Sequence, residues 1–363
     1  TTVYNQPGAL LRVTDGTLNF GTTGSWSAYL HNYGTIQLDA NTTAQLSTPD
    51  SGLYPSVLWD GSAITGPGSF RLIGGRTAIV GNSTATNLEL TGGSLLGMTS
   101  DYGSYGTVLG GGTVTVTGSF STTGVGANLR GIGGSTPGSL VVAPNASMSL
   151  SGSTTTIQDG FILENQSTSG NATINGATVY FNSGPGTFLN SGTLKLESGG
   201  ITNWSSGYGS LTNTGTVLVS PGTGNSFNLN TTVYNQPGAL LRVTDGTLAS
   251  NHFGTNQGSL DLSGGASLSL SGPLTNIGSV TGSGTLDLAG STLTNSGIIS
   301  PGGAGSIGTL TINGNVDLTG GTLGIDLGGT GAGQSDELAV SGNVNLGGSL
   351  NAVKQSVFTP ANG

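Results

Sequence analysis

One short motif returns along this chain at nearly constant intervals, and that return limits the fold more than any other feature. The motif is an apolar residue, a variable residue, Asn, then Gly two or three places on, then a new apolar-rich segment. It reads Leu-Thr-Asn-Thr-Gly-Thr-Val-Leu-Val from Leu211 and Leu-Thr-Asn-Ile-Gly-Ser-Val from Leu274. The asparagines are Asn190, Asn213, Asn235, Asn256, Asn276 and Asn295, stepping by 23, 22, 21, 20 and 19 residues. Asn32, in Leu-His-Asn-Tyr-Gly-Thr-Ile-Gln-Leu, fits the same pattern, with longer insertions between it and Asn190. A period of this size marks a repeat architecture.

A second motif marks another corner. Leu88-Glu-Leu-Thr-Gly-Gly, Leu260-Asp-Leu-Ser-Gly-Gly, Leu286-Asp-Leu-Ala-Gly, Val316-Asp-Leu-Thr-Gly-Gly and Val344-Asn-Leu-Gly-Gly each place a polar residue between two apolar ones. That alternation is the period of a half-buried strand. The glycines that follow give the backbone freedom to bend. Helical periodicity is missing nearly everywhere. Strands this short are stable when each pairs with its equivalent one turn above, and such parallel connections are right-handed.

The expected fold is therefore all-β: a right-handed parallel β-helix, or β-solenoid, running continuously over residues 1–363. At about twenty residues per coil there would be about seventeen coils, stacked about 4.8 Å apart into a rod roughly 80 Å long. The shrinking steps suggest coils that narrow toward the C-terminus. At the Asn corner two roles stay open. Stacked amides can hydrogen-bond from coil to coil, or Asn can serve only as a turn former that tolerates the left-handed conformation.

Residues 1–18, TTVYNQPGALLRVTDGTL, recur letter for letter at 231–248. This is a segment duplication within an array, which solenoids accept because each coil touches only its neighbours.

Composition removes several functions. Gly is 69 of 363 residues, yet it is periodic, and 34% hydrophobic residues suffice for a narrow core. The net charge is −9, and the seven basic residues are scattered: Arg12, Arg71, Arg76, Arg130, Lys195, Arg242 and Lys354. No basic stripe exists to neutralise phosphates, so nucleic acid is not an expected partner. With no Cys there is no disulfide, thiolate nucleophile or Cys-based zinc site. No apolar run reaches the length of a membrane-spanning helix, and no signal peptide is visible. The chain reads as a mature product or a fragment of something longer.

No residue pattern in the chain points to an enzyme site, a cofactor or a metal site. Asp261, Asp287, Asp317 and Asp326 share the slot between inward residues and are expected to face solvent. Their irregular spacing does not show the close carboxylate pair that glycoside cleavage needs. Asp336-Glu337 is the only adjacent acidic pair and reads as a loop entry. His31 and His252 lack a metal-ligand spacing. The calcium-binding nonapeptide is broken by Gly333 where its Asp belongs. Aromatics gather in loops of the first third, with Trp204 later. Trp26, Trp59 and Trp204 are candidate contacts for a glycan or a partner, or else covers for the core.

The stretch from Ser300-Pro-Gly through Ser306-Ile-Gly-Thr-Leu-Thr-Ile-Asn-Gly-Asn to Gln334-Ser-Asp-Glu-Leu-Ala-Val-Ser-Gly-Asn-Val-Asn-Leu resembles the β-strand repeats of bacterial autotransporter passengers. Filamentous-haemagglutinin-type adhesins are similar. The match covers residues 255–358 and is only compositional before that. The resemblance implies a right-handed β-helix, exported and displayed outside a bacterial cell as an adhesin, biofilm matrix component or fibre. Unpaired backbone on end coils adds an expectation of head-to-tail self-association. The alternatives are a carbohydrate-active β-helix, such as a polysaccharide lyase or tailspike, and a glycan-binding module.

Overall fold

A computed structural model describes residues 2–21, 29–47, 56–92, 94–98, 111–124, 126–132, 138–152, 154–182, 184–204, 209–355 and 358–359. Trp26 lies outside them. All regular structure among these residues is strand, and the strands stack in parallel into a β-solenoid of about 13 turns.

Each coil contributes three short strands, one per face. Thr2–Asn5, Leu10–Val13 and Thr17–Gly21 form the first coil. They pair in register with Tyr29–Asn32, Thr35–Leu38 and Thr43–Ser47 of the second. Alternation along each strand sends every second side chain into the lumen. Leu260 and Leu262 lie beneath Leu241 and Val243, and all four are buried.

A turn averages about 24 residues, more than the twenty that the Asn steps suggested, so there are fewer coils than about seventeen. The steps of 22 to 19 belong to one stretch only. Elsewhere corners carry excursions: Gly97 pairs with Gly131 and Arg130 with Gln158. The narrowing also ends. Beyond Asn295, Thr294 pairs with Asp317 and Asp317 with Asn345, so the coils lengthen again to 23 and 28 residues.

The chain clusters into two compact units, residues 1–194 with 199–210, and residues 195–198 with 211–363. Within the first unit the Asn corner changes face. Asn5 and Asn32 end strands on the face that continues through Ser56–Leu58, Arg76–Ile79 and Ser94–Met98. Asn165 and Asn190 end strands on the next face, that of Leu10–Val13, Thr35–Leu38 and Ala63–Thr65. Asn32 thus shares the motif of the later asparagines but not the face of Asn190.

Glycine serves the two corners differently. After the Asn corner it permits close approach: a Cβ on Gly278 would collide with the carbonyl oxygen of Gly258 in the coil above. At the second corner Gly265 has φ +82° with open space around it, so there the left-handed backbone itself needs glycine.

Candidate functional site

The most built feature in either unit is a buried ladder of side-chain amides. In the second unit Asn213 Nδ2 donates to Asn235 Oδ1 at 2.9 Å. Asn235 donates to Asn256, Asn256 to Asn276 and Asn276 to Asn295, each at 2.8 Å. The first unit holds two shorter ladders, Asn5 to Asn32 at 2.7 Å and Asn165 to Asn190 at 2.8 Å. Each of these donors also reaches a backbone carbonyl of the next coil, as Asn235 reaches Ser259 O. The asparagines at 190, 213, 235, 256, 276 and 295 are at most 1% exposed. None has a positive φ, so the amide, and not a left-handed backbone, is what the corner uses. An amide buried in the lumen would be costly if left unpaired, and the coil-to-coil bond removes that cost.

Asn5 and Asn165 were not among the asparagines singled out from the sequence. The signal for Asn5 was present, since it sits in the duplicated segment at the position of Asn235. Asn165 had less to mark it, because no Gly follows within three residues. Where a ladder meets an apolar corner, its last amide suffers. Asn32 pairs with Leu58, and Asn32 Nδ2 is buried with no acceptor among the described residues.

The aromatic candidates separate. Trp59 is half-buried against Val57, Ala78 and Val80, with Tyr33 stacked on it at 5.0 Å and an interplanar angle of 5°. Its indole N–H is buried without an acceptor among the described residues. His31 lies between Tyr4 and Trp59, with ring centroids 5.1 and 6.2 Å away. Burial lowers the His31 imidazole pKa from its ordinary value. Trp204, by contrast, is 72% exposed, with Tyr180 set edge-on at 6.1 Å.

The charged residues are more ordered than their sequence scatter suggested. Arg12 meets Asp39, Arg71 meets Glu89, Arg130 meets Asp159 and Arg242 meets Asp261, all at 2.7–2.9 Å. Each pair joins one coil to the next. Burial works against the Glu89 carboxylate, but hydrogen bonds from Arg71 and Thr123 outweigh it and lower its pKa.

Asp326 is a correction. The strand slot suggested a solvent-facing side chain, yet Asp326 and Asp336 are each only 7% exposed. Asp326 Oδ2 accepts the Gly305 N–H at 2.7 Å, and Asp336 accepts the N–H groups of Gly308 and Asp326 at 2.9 and 2.8 Å. The carboxylates are pulled inward because backbone donors in the loop of Gly305 and Gly308, and at Asp326 itself in the strand Thr322–Leu327, need acceptors. Asp336 is thus a buried clamp and not merely a loop entry.

Asp326 also borders an open groove of about 670 Å³ with Ser279, Thr281, Ile298, Ser300 and Thr322. Among the described residues no cluster of three or more His, Asp or Glu side chains could hold a metal ion. No helix among them is long and apolar enough to cross a membrane.

Fold and ladder together define the class: a β-solenoid repeat protein. Comparison with family models, with curated proteins and with solved structures finds no match.

Proposed function

We propose that this chain is a structural protein displayed outside a bacterial cell, a fibre- or stalk-forming adhesin or biofilm-matrix component of the autotransporter-passenger or filamentous-haemagglutinin type. It is not an enzyme in this reading; the repeat itself is the working part, stacking end to end with further coils. The observation that carries it is the use of the chain's buried polar groups. The ladder amides join coil to coil, and the Asp326 and Asp336 carboxylates hold backbone N–H groups. These groups are spent on holding coils together. Negative-stain electron microscopy of the purified chain tests this. Filaments are the expected result, and short dispersed particles at high concentration would overturn it.

A second reading is a glycan-binding module or carbohydrate-active β-helix. It is favoured by the exposed Trp204 beside Tyr180, since an exposed indole face can stack on a sugar ring. Glycan-array binding that is lost in Trp204→Ala and kept in Trp59→Phe would establish it; an array with no signal would remove it.

A further inference from the structure

Trp204 does not stand alone on its face of the first unit. In successive coils Arg130 pairs with Gln158, and Gln158 with Asn182. The Trp204 N–H donates to Phe181 O at 3.0 Å, which sets Trp204 beside Asn182 in the coil that follows. Leu129, Ile157 and Phe181, each one residue earlier, are fully buried. Strand alternation therefore turns Arg130, Gln158 and Asn182 outward. Arg130 is exposed, and Gln158 and Asn182 are half-buried. One strip thus runs along the stacking direction from a guanidinium, past Gln158 and Asn182, to an indole, with Tyr180 edge-on to Trp204 at 6.1 Å. With coils about 4.8 Å apart, the strip is about 14 Å long.

These side chains suit a saccharide. The exposed indole offers a flat apolar face to the C–H face of a pyranose ring. A Gln or Asn amide both donates and accepts, as a sugar hydroxyl does, so the two match in either direction. Charge narrows the class. Arg130 Nε donates to Asp159 Oδ2 at 2.7 Å, so the cation of the strip is neutralised within the protein. Asp159 directly follows Gln158 and holds a left-handed backbone, φ 54°, which Asp tolerates. The chain as a whole carries a net charge of −9 and repels a polyanion. The strip therefore fits a neutral glycan. Its straightness narrows the class again. In an extended β-1,4-linked chain each hexose advances by nearly one coil spacing. Such a chain laid along the strip meets a new polar or aromatic side chain with each ring.

We infer that the strip from Arg130 through Gln158 and Asn182 to Trp204 is a binding site for a neutral, extended β-1,4-linked polysaccharide lying along the stacking direction. Trp204 anchors one ring by stacking, and Asn182, Gln158 and Arg130 bond the hydroxyls of the rings that follow. The inference rests on the glycan-binding reading above and deepens it, by naming the substrate class and the subsites beyond Trp204.

The test is calorimetric titration of the full chain with the dimer and the hexamer of β-1,4-linked glucose, and with a β-1,4-linked uronate hexamer. The glucose hexamer is expected to bind about tenfold more tightly than the dimer, the size of one further net hydrogen bond. The uronate hexamer is expected to bind more weakly than the glucose hexamer. Gln158→Ala should cost the glucose hexamer several-fold and leave the dimer, held at Trp204, unchanged. Trp204→Ala should weaken both by about tenfold. Equal affinity for dimer and hexamer, binding by neither, or preference for the uronate would overturn the inference, and these comparisons need only the native chain. So would a Gln158→Ala variant of unchanged melting temperature that binds the hexamer like the native chain. Array binding of some other glycan, lost in Trp204→Ala, would leave the glycan-binding reading standing even then.

Discussion

At the scale of single residues, the protein is held by side chains whose value depends on the coil above and below. Asn256 shows this most directly. It accepts from Asn235, donates to Asn276, and is 0% exposed. Replacing it with Ala strands a donor on one side and an acceptor on the other, at about 1–3 kcal/mol for each buried group left unpaired. Asn256→Ala should therefore lower the urea midpoint clearly, and an unchanged midpoint would show that the ladder contributes nothing. Glycines separate in the same way. Gly278→Ala drives a Cβ into the backbone of Gly258, which cannot step aside, whereas Gly265→Ala meets only open space and the strain of its φ of +82°. The first should prevent normal assembly of that coil, and the second should cost about 1–2 kcal/mol, measured by the same denaturation series.

His31 adds a pH dependence. Its imidazole pKa is lowered by burial from 6.5, so the unfolded chain takes up the proton first as pH falls. Stability from this group is complete above about pH 6.5 and is lost as pH falls from there through the depressed folded value, by at most about 1.4 kcal/mol per pH unit. His31→Phe should flatten that slope in thermal melts taken across this range, and an unaltered slope would remove His31 as its source.

At the scale of the coil, the duplicated segment separates local instruction from context. Both copies form the same strands, Thr2–Asn5 with Leu10–Val13 and Thr232–Asn235 with Leu240–Val243. Gly8 and Gly238 have φ of +76° and +82°, and Gly16 and Gly246 have +67° and +60°. Even the ion pairs correspond, Arg12 with Asp39 and Arg242 with Asp261. Burial does not correspond. Hydrogen exchange along Leu10–Val13 should therefore be faster than along Leu240–Val243, although the sequences are the same. Peptides that extend into the differing flanks would tell the copies apart, and equal rates would mean that the first coil is covered in solution. The coil-to-coil ion pairs matter less, because their arginines are 38–52% exposed. Arg242→Ala is expected to change stability by less than about 1 kcal/mol.

Over the whole molecule, each unit is a stack in which the ladder amides, Asn32 Nδ2 excepted, and the inward apolar residues find their partners in adjacent turns, the nearest-neighbour logic of a solenoid. Much of this was legible in the residues. Alternation at Leu260-Asp-Leu and Leu286-Asp-Leu is a local signal for a half-buried strand, and Asn followed by Gly is a local signal for a corner. From these the sequence alone determined an all-β parallel coil and the positions of the corners that carry the Asn or Gly motif. Three things were decided only by the tertiary structure. The Asn corner moves from one face to the next between Asn32 and Asn165, because a face is set by the summed length of every coil between them. Asp326 turns inward, because the N–H of Gly305, distant in sequence, needs an acceptor there. And Leu11 is half-buried where Leu241 is covered, because identical residues carry identical backbone preferences but have no influence over what lies above them.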